Sequence, residues 1–92
     1  MNTMFYPGIL YPPDEDGLSG CFVPDLKIAA SGASPDDALR DAALILAELL
    51  ASMVEDDDAF PAPTPAQDID LDGGTLAMIG APFVRAKRPA AA

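Results

Sequence analysis

The stretch from Ser34 to Val54, SPDDALRDAALILAELLASMV, constrains this chain more than any other. It is the one segment both long enough and periodic enough to specify a helix. Ser34 is suited to cap it, because a serine hydroxyl accepts from an orphan backbone N–H of the first turn. Pro35 falls at the first helical position, where a missing N–H costs nothing. Asp36 and Asp37 lie in the first turn, where the helix dipole favours negative charge. A step of about 100° per residue puts Leu39, Ala42, Ala43, Leu46, Leu49, Leu50 and Met53 on one face. Ala38 and Ile45 flank that stripe on one side, and Ala47 and Val54 on the other. Asp37, Asp41, Glu48 and Glu55 occupy the opposite face. Leu44 falls among those charges. An isolated exposed leucine is ordinary, but with Ile45 beside it Leu44 is a candidate contact to another subunit. The acidic run Glu55 to Asp58 opposes the dipole and predicts a frayed last turn.

The segments before the helix read as strands. Met1 to Tyr11 supplies the first, with Pro7 and Gly8 implying a bulge or an outward-facing edge. Pro12 to Gly17, PPDEDG, is a turn whose carboxylates Asp14, Glu15 and Asp16 favour water. Leu18 to Val23 gives a second strand, completing a hairpin with an acidic tip. Pro24-Asp25 breaks the chain again, Leu26 to Ser31 makes a third strand, and Gly32-Ala33 turns into the helix. Short connections imply an antiparallel meander. After the helix, Phe60 to Pro65 is a stiff proline-rich linker, Asp72-Gly73-Gly74 a turn, and Thr75 to Ile79 the core of a last strand. The expectation is an α+β domain of order β-β-β-α-β over residues 1–84, a three-stranded meander with the helix packed on one face of the sheet. A right-handed crossover from the third strand to the fourth would leave the other face open. Residues 85–92, RAKRPAAA, read as a disordered basic tail.

The 92 residues carry fifteen acids against five bases, a net charge of −10. Arg85, Lys87 and Arg88 are clustered near the end, so residues 1–84 hold only Lys27 and Arg40 against all fifteen acids, a net −13. Such a surface repels phosphate backbones and suits a basic protein partner. A chain this short buries only about two thirds of its unfolded surface, which makes a homo-oligomer (dimer or tetramer) a natural way to bury more. There is one cysteine, Cys21, and no histidine. No internal disulfide can form, which points to a reducing cytoplasm. The N-terminus lacks the basic segment of a secretory signal, and the apolar run in the helix is too short to span a bilayer.

Chemistry-bearing motifs are sparse. Without histidine there is no zinc or general-base pattern, and there is no glycine-rich phosphate loop. Cys21 lies in a strand and reads as a structural thiol. Asp68, Asp70 and Asp72 alternate as in a calcium loop, but the closing glutamate is absent, so a solvated acidic linker is the better reading. No catalytic residue, metal site or cofactor is expected.

The ordered set of pieces across residues 5–64 resembles the HicB-like antitoxin family. The pieces are Phe5-Tyr6-Pro7, the acidic turn Asp14-Glu15-Asp16-Gly17, Phe22 followed by Pro24-Asp25-Leu26, Gly32, the cap Ser34-Pro35-Asp36-Asp37-Ala38-Leu39, and the exit Phe60-Pro61-Ala62-Pro63-Thr64. The resemblance implies a partial ribonuclease H-like fold and a protein that neutralises a small basic mRNA-cleaving toxin by covering its active site. On that reading Asp14, Glu15, Asp16 and Asp25, at the strand tips, are the candidate partner-binding residues, and Leu44 and Ile45 the candidate oligomer contacts. Three departures stand out. Val23 is inserted between Phe22 and Pro24, and Lys27-Ile28-Ala29 replaces the family's usual Pro-Gly-Cys. Residues 85–92 are too short for the DNA-binding domain that often follows, which argues against direct operator binding. The alternatives are a solitary scaffold or oligomerisation protein of phage or prophage origin, and a metal-dependent nuclease. The second is disfavoured because the acids fall in turns and at the helix cap. The first strand carries none that could point inward to a metal.

Overall fold

The computed structural model describes residues 2–84. The expected basic tail lies outside them. The elements follow the order β1 (Asn2–Tyr11), β2 (Ser19–Val23), β3 (Ile28–Gly32), α1 (Pro35–Glu55) and β4 (Thr75–Phe83), with short 3-10 turns at Pro24–Leu26 and Ala66–Asp68. The four strands form one sheet in the order β3-β2-β1-β4, every neighbouring pair antiparallel. The fold is therefore α+β, with the single long helix against one face of the sheet.

Two expectations about topology change. β4 pairs with β1, at the opposite edge from β3, and runs antiparallel to both. The handedness rule for parallel crossovers therefore has no purchase here. β1 is also a central strand, and Pro7 causes no bulge, because its register with β4 runs unbroken from Asn2↔Phe83 to Leu10↔Thr75. The pairing of β1 with β2 begins only at Ile9. Pro7 thus sits where β1 has outrun β2, and its lack of a donor breaks no ladder bond on that side. β3 starts two residues later than expected because Pro24-Asp25-Leu26 forms a 3-10 turn closed by Lys27 in the left-handed region, φ 55°. β4 runs four residues past Ile79, through Pro82, which an edge strand tolerates.

The helix follows its sequence closely. Ser34 Oγ accepts from the Asp37 N–H at 3.1 Å, and Pro35 opens the first turn. Ala38, Ala42, Leu46 and Leu50 are completely buried. They pack against Tyr6, Cys21, Val23, Ile28, Ala30, Ile79 and Ala81 from all four strands. Burial of the two leucines alone contributes about 1.5–3 kcal/mol each. At the C-terminus the acidic run does not leave the last turn open. Asp57 adopts φ 58°, its N–H reaches the Val54 carbonyl, and the Asp58 N–H reaches the Met53 carbonyl at 2.8 Å. This is the Schellman arrangement, with an aspartate where glycine is usual.

Gly32 decides how close the helix comes to the sheet. A Cβ there would lie 2.6 Å from the Ala38 nitrogen and the Asp37 Cβ. Backbone atoms cannot step aside as a side chain could, so only glycine lets β3 pass beneath the first turn of α1.

The long connection from α1 to β4 is tied at several points. The Tyr6 hydroxyl donates to the Pro61 carbonyl at 2.7 Å. The Asp25 carboxylate accepts from both the backbone N–H and the hydroxyl of Thr64. Phe60 meets Phe83 edge to face, centroids 4.9 Å apart. At the far end, Gly74 is held against Ile9 and the Leu10 carbonyl. Burial pushes the Tyr6 phenol above its usual range, and the nearby negative charge of Asp25 pushes it further. Burial raises the Cys21 thiol as well.

Three outcomes follow. Gly32→Ala lowers stability by about 1–3 kcal/mol, read from the midpoint of a urea transition, because packed backbone must shift. Asp25→Ala leaves the two Thr64 donors unpaired and costs about 1–3 kcal/mol, whereas Thr64→Ser, which keeps both donors, stays within about 0.5 kcal/mol of the parent in the same measurement. The third concerns pH. A phenol whose folded-state pKa lies above its unfolded value stabilises the fold fully below about pH 10, and that contribution is lost as pH rises through the folded value. Urea midpoints should therefore fall as pH rises above about 10, and Tyr6→Phe should show a smaller fall over the same rise despite its lower starting stability.

Candidate functional site

The register of the sheet sorts the acids by end. Tyr11 pairs with Gly20, Leu10 with Thr75, and Ser19 with Gly32. The β1–β2 turn, the exit of β3 into α1 and the entry to β4 therefore share one end of the sheet. Asp14, Glu15 and Asp16 lie there with Asp36 and Asp37 of the first helical turn and with Asp72 beside the start of β4. Asp25 does not. It follows β2, at the opposite end, with the exit of α1 and the proline-rich linker. The four acids singled out in the sequence thus fall into a group of three and a remote single residue.

Their local roles also differ. Asp14 builds the turn it sits in. Its carboxylate accepts from the N–H groups of Asp16 and Leu18, both at 2.9 Å, and its own N–H donates to the Leu18 carbonyl. Gly17 completes that turn at φ 79°, a conformation that suits glycine. Glu15 and Asp16 are exposed at the tip. Asp25 is half-buried and holds Thr64, so both its oxygens serve the linker. Asp37 pairs with Arg40 at 3.0 Å on an exposed surface, a contact worth well under about 1 kcal/mol. Asp41 accepts from the Ser31 N–H, fastening β3 to the helix.

Joining Asp36, Asp37 and Asp72 to the hairpin acids needed the tertiary fold. The first-turn preference of acids for a helix N-terminus marked Asp36 and Asp37 as structural residues, and nothing in the sequence said which turns would meet. Among the described residues no group of three Asp, Glu, Cys or His side chains could hold a metal ion. Nor is any helix there long and apolar enough to cross a membrane.

Apolar surface is exposed in two places. Leu44 on the outer face of α1 is 59 % exposed, between the acids Asp41 and Glu48. Ile45 beside it is half-buried and packs against the core, so Leu44 is the more exposed of the two candidate oligomer contacts. On the sheet face away from the helix, Phe5 and Met78 are more than half exposed and Leu76 somewhat less. The Phe5 ring lies across Gly80, its cross-strand partner, filling the space a side chain would take. Along β1 that face is not open throughout. Pro7 and Ile9, which point the same way as Phe5, are buried, and Gly74 of the connection before β4 lies against Ile9.

Comparison with known proteins bears on the fold. No protein-family model matches the chain, and no curated protein matches it in sequence. Solved structures do. The N-terminal domain of the antitoxin HicB from Burkholderia pseudomallei superposes with a TM-score of 0.73 at 18% identity, over 83% of this chain and 95% of that one. A toxin–antitoxin complex from Streptococcus pneumoniae contains a chain that matches with a TM-score of 0.76 at 21% identity, over 88% of this chain and 70% of that one. A longer Burkholderia pseudomallei HicB structure matches with a TM-score of 0.70 at 17% identity, and the alignment spans 61% of its length. The chain has the fold of a HicB antitoxin N-terminal domain.

Proposed function

We propose that this chain is an antitoxin-like binding protein that neutralises a small basic mRNA-cleaving toxin by protein–protein contact in the cytoplasm. The observation that carries this reading is the gathering of Asp14, Glu15, Asp16, Asp36, Asp37 and Asp72 at one end of a HicB-like fold. Over the described residues only Lys27 and Arg40 oppose the acids. A ribonuclease must hold a polyanion, so its active face is basic. An acidic surface of the right shape competes for that face, speeds encounter and selects against neutral partners.

In this scheme Glu15 and Asp16 make the contact, Asp14 holds the turn that presents them, and Asp25 keeps the linker in place at the other end. Binding needs no catalysis, metal or cofactor from this chain. The same chemistry disfavours nucleic acid as a direct ligand. A second reading, a scaffold that self-associates without a toxin, draws on Leu44 and on the exposed patch of Phe5, Leu76 and Met78.

The test is co-expression with the product of the neighbouring open reading frame, which this proposal expects to be small and basic. The expected result is a stable co-purifying complex and restored growth. Within that complex, Glu15→Lys with Asp16→Lys should slow association by about tenfold or more and flatten its salt dependence. The absence of both complex and rescue would overturn the proposal. A self-associating chain that ignores the adjacent protein would favour the scaffold reading.

A further inference from the structure

At the end of the sheet away from the acidic tips, the last two turns of α1 and the end of β4 enclose a groove of about 370 Å³. Ala51, Val54 and Glu55 form one wall, and Pro82, Phe83 and Val84 the other. Its floor is apolar and firm, since Phe83 is braced edge to face by Phe60. Its rim is acidic. Glu55 lines the groove, and Asp56 and Asp57 follow it in the turn that closes the helix. The C-terminal end of the helix dipole adds partial negative charge at the same place. Neither base among the described residues serves this rim. Arg40 pairs with Asp37 at the other end of the helix, and Lys27 precedes β3, across the sheet from β4.

We infer that this groove is a docking site for the chain's own residues 85–92, Arg85-Ala86-Lys87-Arg88-Pro89-Ala90-Ala91-Ala92. Val84 is both a wall of the groove and the residue from which that segment departs. The segment carries three cations in its first four residues and only small apolar side chains after them. That order matches an acidic rim around an apolar floor. Eight extended residues reach about 26–29 Å, more than enough to turn back across the helix end. A second copy of this chain fits less well, because two surfaces of net −13 would have to meet.

The inference is independent of any toxin. The experiment attaches a nitroxide at Ala90→Cys in a Cys21→Ala background of the full chain. The expected result is loss of the amide signals of Ala51, Val54 and Glu55, with the signals of the Asp14–Gly17 turn unaffected. Glu55→Lys, Asp56→Lys and Asp57→Lys together should restore the lost signals, as should 1 M salt, where the screening length is about 3 Å. Since removing Cys21 could disturb the core, a second measurement keeps it: Lys87→Glu with Arg88→Glu in the otherwise unchanged chain should shift the amides of Ala51, Val54 and Glu55. The inference is overturned if neither measurement perturbs these residues. It is equally overturned if the nitroxide acts only between molecules when spin-labelled and isotope-labelled chains are mixed, which would assign the groove to a second copy.

Discussion

Everything in this molecule depends on the close seating of α1 on its sheet. The contact is graded along the helix. Near its start the buried residues are Ala38 and Ala42, and Gly32 beneath them has no room for a Cβ. Toward its end Leu46 and Leu50 are buried in one cluster with Tyr6, Val23, Ile79 and Ala81. Small residues at its start let the helix approach the sheet closely there. They also determine where the first helical turn, with its acids, lies relative to the strand ends.

The second constraint is the connection back to β4. A proline-rich segment resists collapse, so its path must be fixed by specific ties rather than by its own preference. Those ties are made by Tyr6, Asp25 and Phe83, residues from three different parts of the chain. The chain thereby crosses from the end of α1 to the start of β4, which enters beside the β1–β2 turn. The acidic tips are thus held together by a helix, a sheet and a stapled loop, and a pre-organised surface binds without first having to order itself. Among the buried side chains of the described residues, Ser19 is the one whose hydroxyl, in β2, has no hydrogen-bond partner.

The readings from sequence succeeded where one local rule dominated. The Ser34 cap, the Pro35 start and the burial of Ala42, Leu46 and Leu50 each depend on neighbours within a turn or two. They failed where a distant partner intervened. Pro7 looked like a bulge because proline lacks a donor, but β2 ends before reaching it. The run Glu55 to Asp58 looked like a fraying end because of the helix dipole, yet backbone hydrogen bonds close that turn around Asp57. Asp25 looked like its neighbours in the hairpin, an exposed acid beside a break, but Thr64 lies 39 residues away and uses both its oxygens.

By itself, the amino-acid order determined the helix, the strand-forming segments, their antiparallel meander and the excess of acid over base. These follow from capping, periodicity and charge, which act over a few residues or over the whole chain at once. Tertiary structure alone decided that β4 lies beside β1, that the hairpin acids share an end with Asp36, Asp37 and Asp72, and that the end of α1 opens an apolar groove with an acidic rim. The reason is geometric. Which ends of the sheet coincide depends on strand order and on the path of the tied connection, and no local preference encodes either.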